Sequence, residues 1–195
     1  MTRPARDPIA PPGRRGVSGA PERPAAGPEA GAPLEARDLC LTRQTPDGPV
    51  HVLSDVDLTV RAGEFVCFVG PAGCGKTALL RLAADLERPT SGELRVGGLS
   101  AAEARRAQRV ACVFAKAGLL PWRDLAGNLA LPLEIRGLDR AERARRVAAA
   151  LGLVALDGFE RRRPRELSEE MRRRAAIARA LATEAPLLVM DEPFR

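Results

Sequence analysis

The sequence contains few aromatic residues. Of its 195 residues none is Tyr, one is Trp and five are Phe. Stacking on aromatic rings is a main way in which proteins hold unpaired bases, so little surface is available for it here. The formal net charge of +6 would suit nucleic acid or an anionic membrane surface. The arginine clusters, however, are separated along the chain and each has Glu or Asp close by, which favours solvated helix faces.

Long apolar runs and paired cysteines are also missing. No run approaches the roughly 20 apolar residues that span a bilayer, and the N-terminus lacks the apolar core of a signal peptide. The four cysteines, Cys40, Cys67, Cys74 and Cys112, form no C-x-x-C pair and no metal-ligand spacing. Cys67 and Cys112 lie in apolar, strand-like runs and are predicted to be buried thiols. We therefore expect a reducing, cytosolic environment.

Lysine is the scarcest charged residue. Among 31 basic residues only Lys76 and Lys116 are lysine, and the others are arginine. A composition biased this strongly would place arginine wherever a plain positive charge suffices. Lys76 therefore suggests a site that needs the compact ammonium charge of lysine rather than the planar guanidinium of arginine.

Lys76 belongs to a glycine-rich loop that fits the phosphate-binding pattern G-x-x-x-x-G-K-[ST]. Its members are Gly70, Pro71, Ala72, Gly73, Cys74, Gly75, Lys76 and Thr77. The preceding residues 64–69 read as a buried strand, and the residues from Ala78 onward read as a helix. In this context Lys76 would reach the β- and γ-phosphates and the Thr77 hydroxyl would bind Mg²⁺. The alternative is an ordinary glycine turn between strand and helix.

The rest of the chain divides by composition. Residues 1–33 are rich in Pro, Gly, Ala and Arg and are predicted to be a disordered tail, with a partner-binding arm as the alternative. Residues 34–195 are predicted to form one α/β domain. Its predicted strands are 34–43, 50–60, 64–69, 93–96, 109–114 and 187–192, and its predicted helices are 101–108 and most of 124–182. Asp139 and Ser168 are candidate helix N-caps.

The predicted last strand ends in Asp191-Glu192, about 115 residues after the glycine loop. A strand of this kind delivers two carboxylates to the edge of a sheet. In a P-loop protein the Asp holds Mg²⁺, and the adjacent Glu can polarise the attacking water. Asp191 is therefore the predicted second magnesium residue, and Glu192 is the predicted catalytic base.

These motifs carry a family resemblance. The chain resembles the ATP-binding subunits of ABC transporters, and more narrowly the bacterial importers of the nitrate, sulfonate and taurine type. The matching stretches are Gly63–Thr77, Gly118–Trp122, Asn128–Gly137, Leu167–Leu181 and Pro186–Phe194. The resemblance implies a RecA-like P-loop NTPase core with an inserted helical subdomain at about 124–168. It also implies ATP and Mg²⁺ as cofactors.

The same resemblance implies partners and a location. Two ATP-binding subunits, identical or different, would form a head-to-tail dimer with ATP at the interface. The loop around 115–122 would dock onto transmembrane permease subunits. The protein would then be cytoplasmic and peripheral on the inner face of the cell membrane, with no nucleic-acid partner.

Several positions depart from the family pattern. Ala115 stands where the family has a glutamine, and Leu167-Ser168-Glu169-Glu170 stands where it has Leu-Ser-Gly-Gly. No aromatic residue lies near Gln44 and Thr45 to stack on adenine. The only histidine is His51, upstream of the glycine loop, so we expect no counterpart of the family's downstream switch histidine. Because the sequence stops at Arg195, we expect a sheet truncated at its C-terminus.

The predicted function is the ATP-binding subunit of an ABC-type importer that couples ATP binding and hydrolysis to the passage of a small solute. Because of the departures, we expect this chain alone to hydrolyse ATP weakly or not at all. One alternative is a non-catalytic nucleotide-binding remnant or regulatory subunit. Another is a soluble ABC-type ATPase that acts on nucleic acid.

Overall fold

The structure is a computed structural model that describes residues 33–193. The predicted disordered tail lies outside the described residues except for Pro33. The described part contains a four-stranded antiparallel sheet in the order β2-β1-β3-β4 and a two-stranded parallel sheet, β5-β6. The strands are β1 (Leu34–Thr45), β2 (Gly48–Val60), β3 (Ser91–Val96), β4 (Leu99–Ser100), β5 (Val110–Val113) and β6 (Leu187–Met190).

The antiparallel sheet begins as a hairpin. Pro46 and Asp47 form a two-residue turn between β1 and β2, and Thr45 pairs with Gly48 across it. Gly48 has a φ of 111°, a conformation that glycine adopts without a Cβ clash. The Thr45 hydroxyl also donates to the Gly48 carbonyl at 2.7 Å. This turn therefore fixes the register of the longest strand pair.

Helix α1 (Lys76–Ala83) covers the inner face of this sheet. Leu79, Leu82 and Ala83 of the helix are buried in one cluster with apolar side chains of β1, β2 and β3. Leu187 and Val189 of β6 join the same cluster. The start of α1 and the end of β6 are therefore packed against a common core, which brings the glycine loop near the Asp-Glu pair.

The parallel pair β5-β6 has apolar side chains on both faces. Val110 and Cys112 pack towards α1, whereas Ala111 and Val113 pack with Ala176 of helix α5. Both faces of a parallel sheet are normally covered in this way. The helices that complete the fold are α2 (Ala101–Arg106), α3 (Leu125–Ile135), α4 (Arg140–Leu153) and α5 (Glu169–Leu181).

Helices α3, α4 and α5 share a core of their own. Leu125, Leu129 and Leu133 of α3 are fully buried against Leu151 and other residues of α4 and α5. The predicted caps are confirmed. The Asp139 side chain accepts from the Glu142 amide at the start of α4, and Ser168 accepts from the Met171 amide at the start of α5.

The sequence predicts more helix between α4 and α5 than the structure contains. Residues 154–163 form turns, followed by a short 3-10 helix, Pro164–Glu166. Ala155 and Gly158 both have positive φ, at 52° and 84°. Left-handed residues end a helix, and Pro164 has no amide to continue one.

The predicted strand 64–69 is wrong. These residues form no ladder with any described strand, and the Phe65 and Val69 side chains are 82% and 91% exposed. Phe68 alone packs against the core. A strand exists only through its partner, and no strand within residues 33–193 pairs with this segment. The prediction of a buried thiol at Cys67 fails for the same reason, since Cys67 is exposed.

No helix in the described part of the chain is both long and apolar enough to cross a membrane.

Candidate nucleotide-binding site

The glycine loop turns into α1 at Gly75. This residue is the N-cap of α1 and has a φ of 94°, in the left-handed region. A Cβ at this position would stand 2.7 Å from Leu53 Cδ2 and 2.9 Å from the Val52 carbonyl oxygen. Both the backbone conformation and the close approach of β2 therefore require glycine. The pattern G-K-T at the helix start thus has a steric cause as well as a chemical one.

Lys76 lies across its own loop. Its ammonium group donates to the carbonyl oxygens of Gly70 at 2.7 Å and Pro71 at 2.8 Å. The Cys74 sulfur lies 3.5 Å away. The ammonium therefore holds the loop closed and places a compact positive charge beside the start of α1. The first backbone amides of that helix have no intrahelical acceptors.

Thr77 connects the loop to β6. Its hydroxyl donates to Asp191 Oδ1 at 2.9 Å. Asp191 is itself held in place, because its backbone amide donates to the Val113 carbonyl at 2.8 Å and so extends the β5-β6 ladder by one residue. The two residues predicted to bind magnesium are thus brought together.

Glu192 follows immediately at the rim of this site. It is exposed and has a φ of 49°, so the backbone turns sharply after Asp191. Positive φ is uncommon for residues other than glycine and often occurs at functional sites.

The donor set fits a hard divalent cation that a phosphate ligand helps to hold. The Thr77 hydroxyl and the Asp191 carboxylate are neighbouring oxygen donors, and Mg²⁺ is commonly held by one or two protein oxygens together with substrate phosphates. Within residues 33–193 no cluster of three or more His, Cys, Asp or Glu forms a metal site by itself. The geometry therefore fits magnesium bound with a nucleotide rather than a protein-only metal centre.

The ABC transporter family model matches residues 53–195, which include the glycine loop, α5 and the Asp-Glu pair. The chain belongs to the ABC transporter family. Domains of this family bind ATP with Mg²⁺, so the predicted cofactors are confirmed at the level of the family.

Curated relatives of this ABC domain have about two-fifths of their aligned residues identical to it. The sn-glycerol-3-phosphate import ATP-binding protein UgpC of Burkholderia ambifaria is 42% identical over 163 residues, which are 83% of this chain and 45% of that protein. The protein of the same name in Salmonella typhimurium is 41% identical over 149 residues, or 76% of this chain and 42% of that protein. The chain thus spans less than half the length of these relatives. They are glycerol-phosphate importers by name and do not support the narrower resemblance to nitrate, sulfonate and taurine importers.

Solved structures confirm the predicted α/β fold of ABC type. The ATP-binding cassette MJ0796, in a dimeric post-hydrolysis state bound to ADP and Pi, has a TM-score of 0.76 and 28% identity. That match covers 83% of this chain and 74% of the cassette. A second dimeric structure of MJ0796 has a TM-score of 0.75, again at 28% identity.

Two ABC positions that depart from the family pattern are visible in the structure. Ala115 is exposed in the loop that follows β5. Its methyl group can neither donate nor accept a hydrogen bond, unlike the amide that the resemblance places there. The position therefore offers no side chain to coordinate a metal or to orient water.

The second departure lies in the first turn of α5. Glu169 and Glu170 are both exposed. Glu169 pairs with Arg172 at 2.8 Å, and Glu170 lies 3.6 Å from Arg174. The hydrogen bond from Arg172 lowers the pKa of Glu169. Both carboxylates are thus partly screened by arginines of their own helix, a point that the sequence comparison with Leu-Ser-Gly-Gly did not reveal.

Proposed function

We propose that this chain is the ATP-binding subunit of an ABC-type importer. The observation that carries the proposal is the hydrogen bond between Thr77 and Asp191, which joins the glycine loop to the carboxylate end of β6. The loop itself is already shaped around Lys76. Membership of the ABC family and relatives named as importer subunits support the same function.

In this proposal each residue has a defined task. The backbone amides of residues 70–77, apart from Pro71, and the Lys76 ammonium would bind the phosphates, with Lys76 leaving the carbonyls of Gly70 and Pro71 for phosphate oxygens. Thr77 and Asp191 would hold Mg²⁺, which supplies charge stabilisation to the transferring phosphoryl group. Glu192, at the rim, would accept a proton from the attacking water.

The partners follow from the same family. We propose a head-to-tail dimer of ATP-binding subunits, which the dimeric MJ0796 structures support as an arrangement for such cassettes. We also propose that the loop 115–122 docks onto transmembrane permease subunits. The chain would then lie in the cytoplasm on the inner face of the membrane.

The transported solute is a further proposal. The names of the relatives point to a phosphorylated small molecule such as sn-glycerol-3-phosphate. The stretch Gly118–Trp122 is what supports the nitrate, sulfonate and taurine type instead. Uptake of each labelled solute by cells that carry the chain with its permease would decide between them.

A nucleotide-binding subunit with little hydrolysis is the second candidate. The observations that favour it are the methyl group of Ala115 and the carboxylates of Glu169 and Glu170 at the start of α5. Both departures leave the phosphate loop intact. Both replace residues that the family uses later in the cycle of ATP binding and hydrolysis. Phosphate release, measured with and without an intact partner subunit, distinguishes this candidate from a hydrolysing subunit.

Nucleic acid is not a proposed partner. The arginines of α4 and α5 are engaged locally: Arg145 and Arg146 bind Glu142, and Arg172 binds Glu169. Such pairs spread the charge over helix faces rather than form one basic surface. A DNA-binding titration at several salt concentrations tests this, because phosphate contacts would produce a steep salt dependence.

The phosphate loop is tested by its two lysines. We expect Mg-ATP binding to be measurable by calorimetry and to be lost in Lys76→Ala. Lys116→Ala is the matched control, since it removes the only other lysine and lies in the loop after β5. Equal affinity in wild type and Lys76→Ala would contradict the assignment of phosphate contacts to this loop.

A further inference from the structure

The loop between β5 and α3 ends in an exposed tryptophan. Trp122 is 70% exposed and is the only tryptophan in the chain. Large aromatic side chains that stand out of a surface are common anchors for protein partners. Such an anchor is effective only if the backbone beneath it is fixed in one shape, because ordering a loose loop on binding costs entropy. Residues 117–124 are fixed from two sides.

The first anchor is Asn128 on α3. It is the one fully buried polar residue of the described part, and it lies beside leucines. Its side-chain oxygen accepts from the Leu120 amide at 2.6 Å. Its amide group donates to the carbonyls of Leu120, Arg123 and Asp124 at 3.1, 3.2 and 2.9 Å. One side chain thus supplies hydrogen bonds to both sides of Trp122.

The second anchor is Arg179 on α5. Its guanidinium donates to the Gly118 carbonyl at 2.8 Å and to the Ala117 carbonyl at 3.0 Å. Burial lowers the pKa of Arg179, and no carboxylate of residues 33–193 is paired with it. A planar fork can bind two successive carbonyls at once, which a lysine ammonium does less well.

Neither residue is the choice that core stability alone would favour. A leucine at Asn128 would extend the apolar stripe of α3, and a half-buried guanidinium without a counter-ion carries a desolvation cost. What both side chains have in common is the segment that they hold. Together they satisfy six backbone groups in residues 117–124, namely one amide and five carbonyls.

We propose that Asn128 and Arg179 are positioning residues that clamp residues 117–124 in one conformation and so present Trp122 to the permease. Arg179 also ties this loop to α5, the helix that Ser168 caps. The identity of the permease as the partner rests on the proposed function, whereas the clamp itself is a property of the isolated chain.

The test uses the full chain and the fluorescence of Trp122, which needs no partner and no nucleotide. Arg179→Met removes the fork but keeps the length of the side chain. Asn128→Asp keeps the acceptor for Leu120 and removes the three donated hydrogen bonds. Arg145→Met is the matched control, because Arg145 is 64% exposed and pairs with Glu142 of its own helix.

Time-resolved anisotropy reports local motion of the tryptophan on the nanosecond scale. We expect the amplitude of this motion to rise about twofold in Arg179→Met and in Asn128→Asp and to stay unchanged in Arg145→Met. Thermal unfolding followed by circular dichroism is recorded for each variant, and Arg179→Met should unfold cooperatively near the wild-type temperature. A purely structural role predicts the reverse, with lost stability and unchanged motion of Trp122 in the folded state.

Unchanged anisotropy in both folded variants would overturn the clamp and leave the nucleotide-binding proposal intact. If one variant fails to fold, the other decides. If both fail, Arg179→Lys decides, because it keeps the charge and loses the fork; Trp122 motion equal to wild type in that variant would overturn the proposal. Loss of Mg-ATP binding in Lys76→Ala tests the proposed function separately.

Discussion

Cys112 and Cys74 show how placement changes the chemistry of one residue type. Cys112 lies on β5, and burial raises the pKa of its thiol from 9.0 to about 11. Cys74 is exposed within the glycine loop, near the ammonium of Lys76. Only the thiolate reacts with alkylating reagents. The two thiols should therefore differ in reactivity.

At pH 8 we expect iodoacetamide to modify Cys67 and Cys74 well before Cys112. Raising the pKa of Cys112 from 9.0 to about 11 reduces its thiolate fraction about 100-fold relative to a thiol with a pKa of 9.0. Burial also slows the access of the reagent. Mass spectrometry of the peptides over time measures each site. Cys40, half-buried and bonded to Asp55, serves as an internal reference. Equal rates at Cys112 and Cys74 would contradict the burial of β5.

The site residues that can be predicted from the sequence are those that belong to short sequence motifs. Lys76, Thr77 and Asp191 stand in short patterns with a fixed relation to a helix start or a strand end, so their neighbourhood follows from the pattern. Asn128 and Arg179 stand in no such pattern. Their partners are carbonyls in a loop that tertiary packing brings to them, and the only signal in the sequence is one amide among the leucines of α3.

At the level of elements, α5 combines a stable start with an unfavourable charge. Ser168 caps the helix, and Glu169 and Glu170 complement the positive end of its dipole. The proposed dimer would bring this helix start to the phosphate of the opposing nucleotide. The features that stabilise the helix would then oppose closure of the dimer.

We expect Glu169→Gly with Glu170→Gly to strengthen ATP-dependent dimerisation about tenfold or more, because like charges would no longer face each other. Glu169→Gln with Glu170→Gln is the control that removes charge and keeps bulk, and it should give part of the gain. Light scattering with non-hydrolysable ATP measures the dimer. If the glutamate, glutamine and glycine pairs dimerise alike, the electrostatic explanation is wrong.

The elements also differ in how far the sequence predicts them. Asp139 and Ser168 can be predicted as caps because capping depends on residues three positions apart. The segment 64–69 has the composition of a buried strand, but pairing depends on a partner that composition does not reveal. Turns at Ala155 and Gly158 break the predicted helical stretch for a similar reason, since a left-handed alanine has no strong sequence signal.

Across the whole molecule, stability should be uneven. β1 and β2 form a long ladder, whereas 64–69 contributes no ladder hydrogen bond among the described residues. We expect the amides of Phe65 and Val66 to exchange with solvent about as fast as an unstructured peptide, while those of Leu39 and Leu41 are protected. Hydrogen exchange followed by mass spectrometry measures both. Protection of 64–69 equal to that of β1 would show that the segment is paired in solution.

Thr77 and Asp191 share one hydrogen bond although 114 positions separate them in the chain. Joining them closes a loop that contains α2 to α5, and contacts between residues so distant in sequence form late in folding. Around Trp122, by contrast, Asn128 binds residues at most eight positions away, whereas Arg179 binds residues 61 and 62 positions away. A folding molecule would therefore acquire the Asn128 contacts of the loop 117–124 before its nucleotide site, and the order in which these two parts mature would be set by chain connectivity.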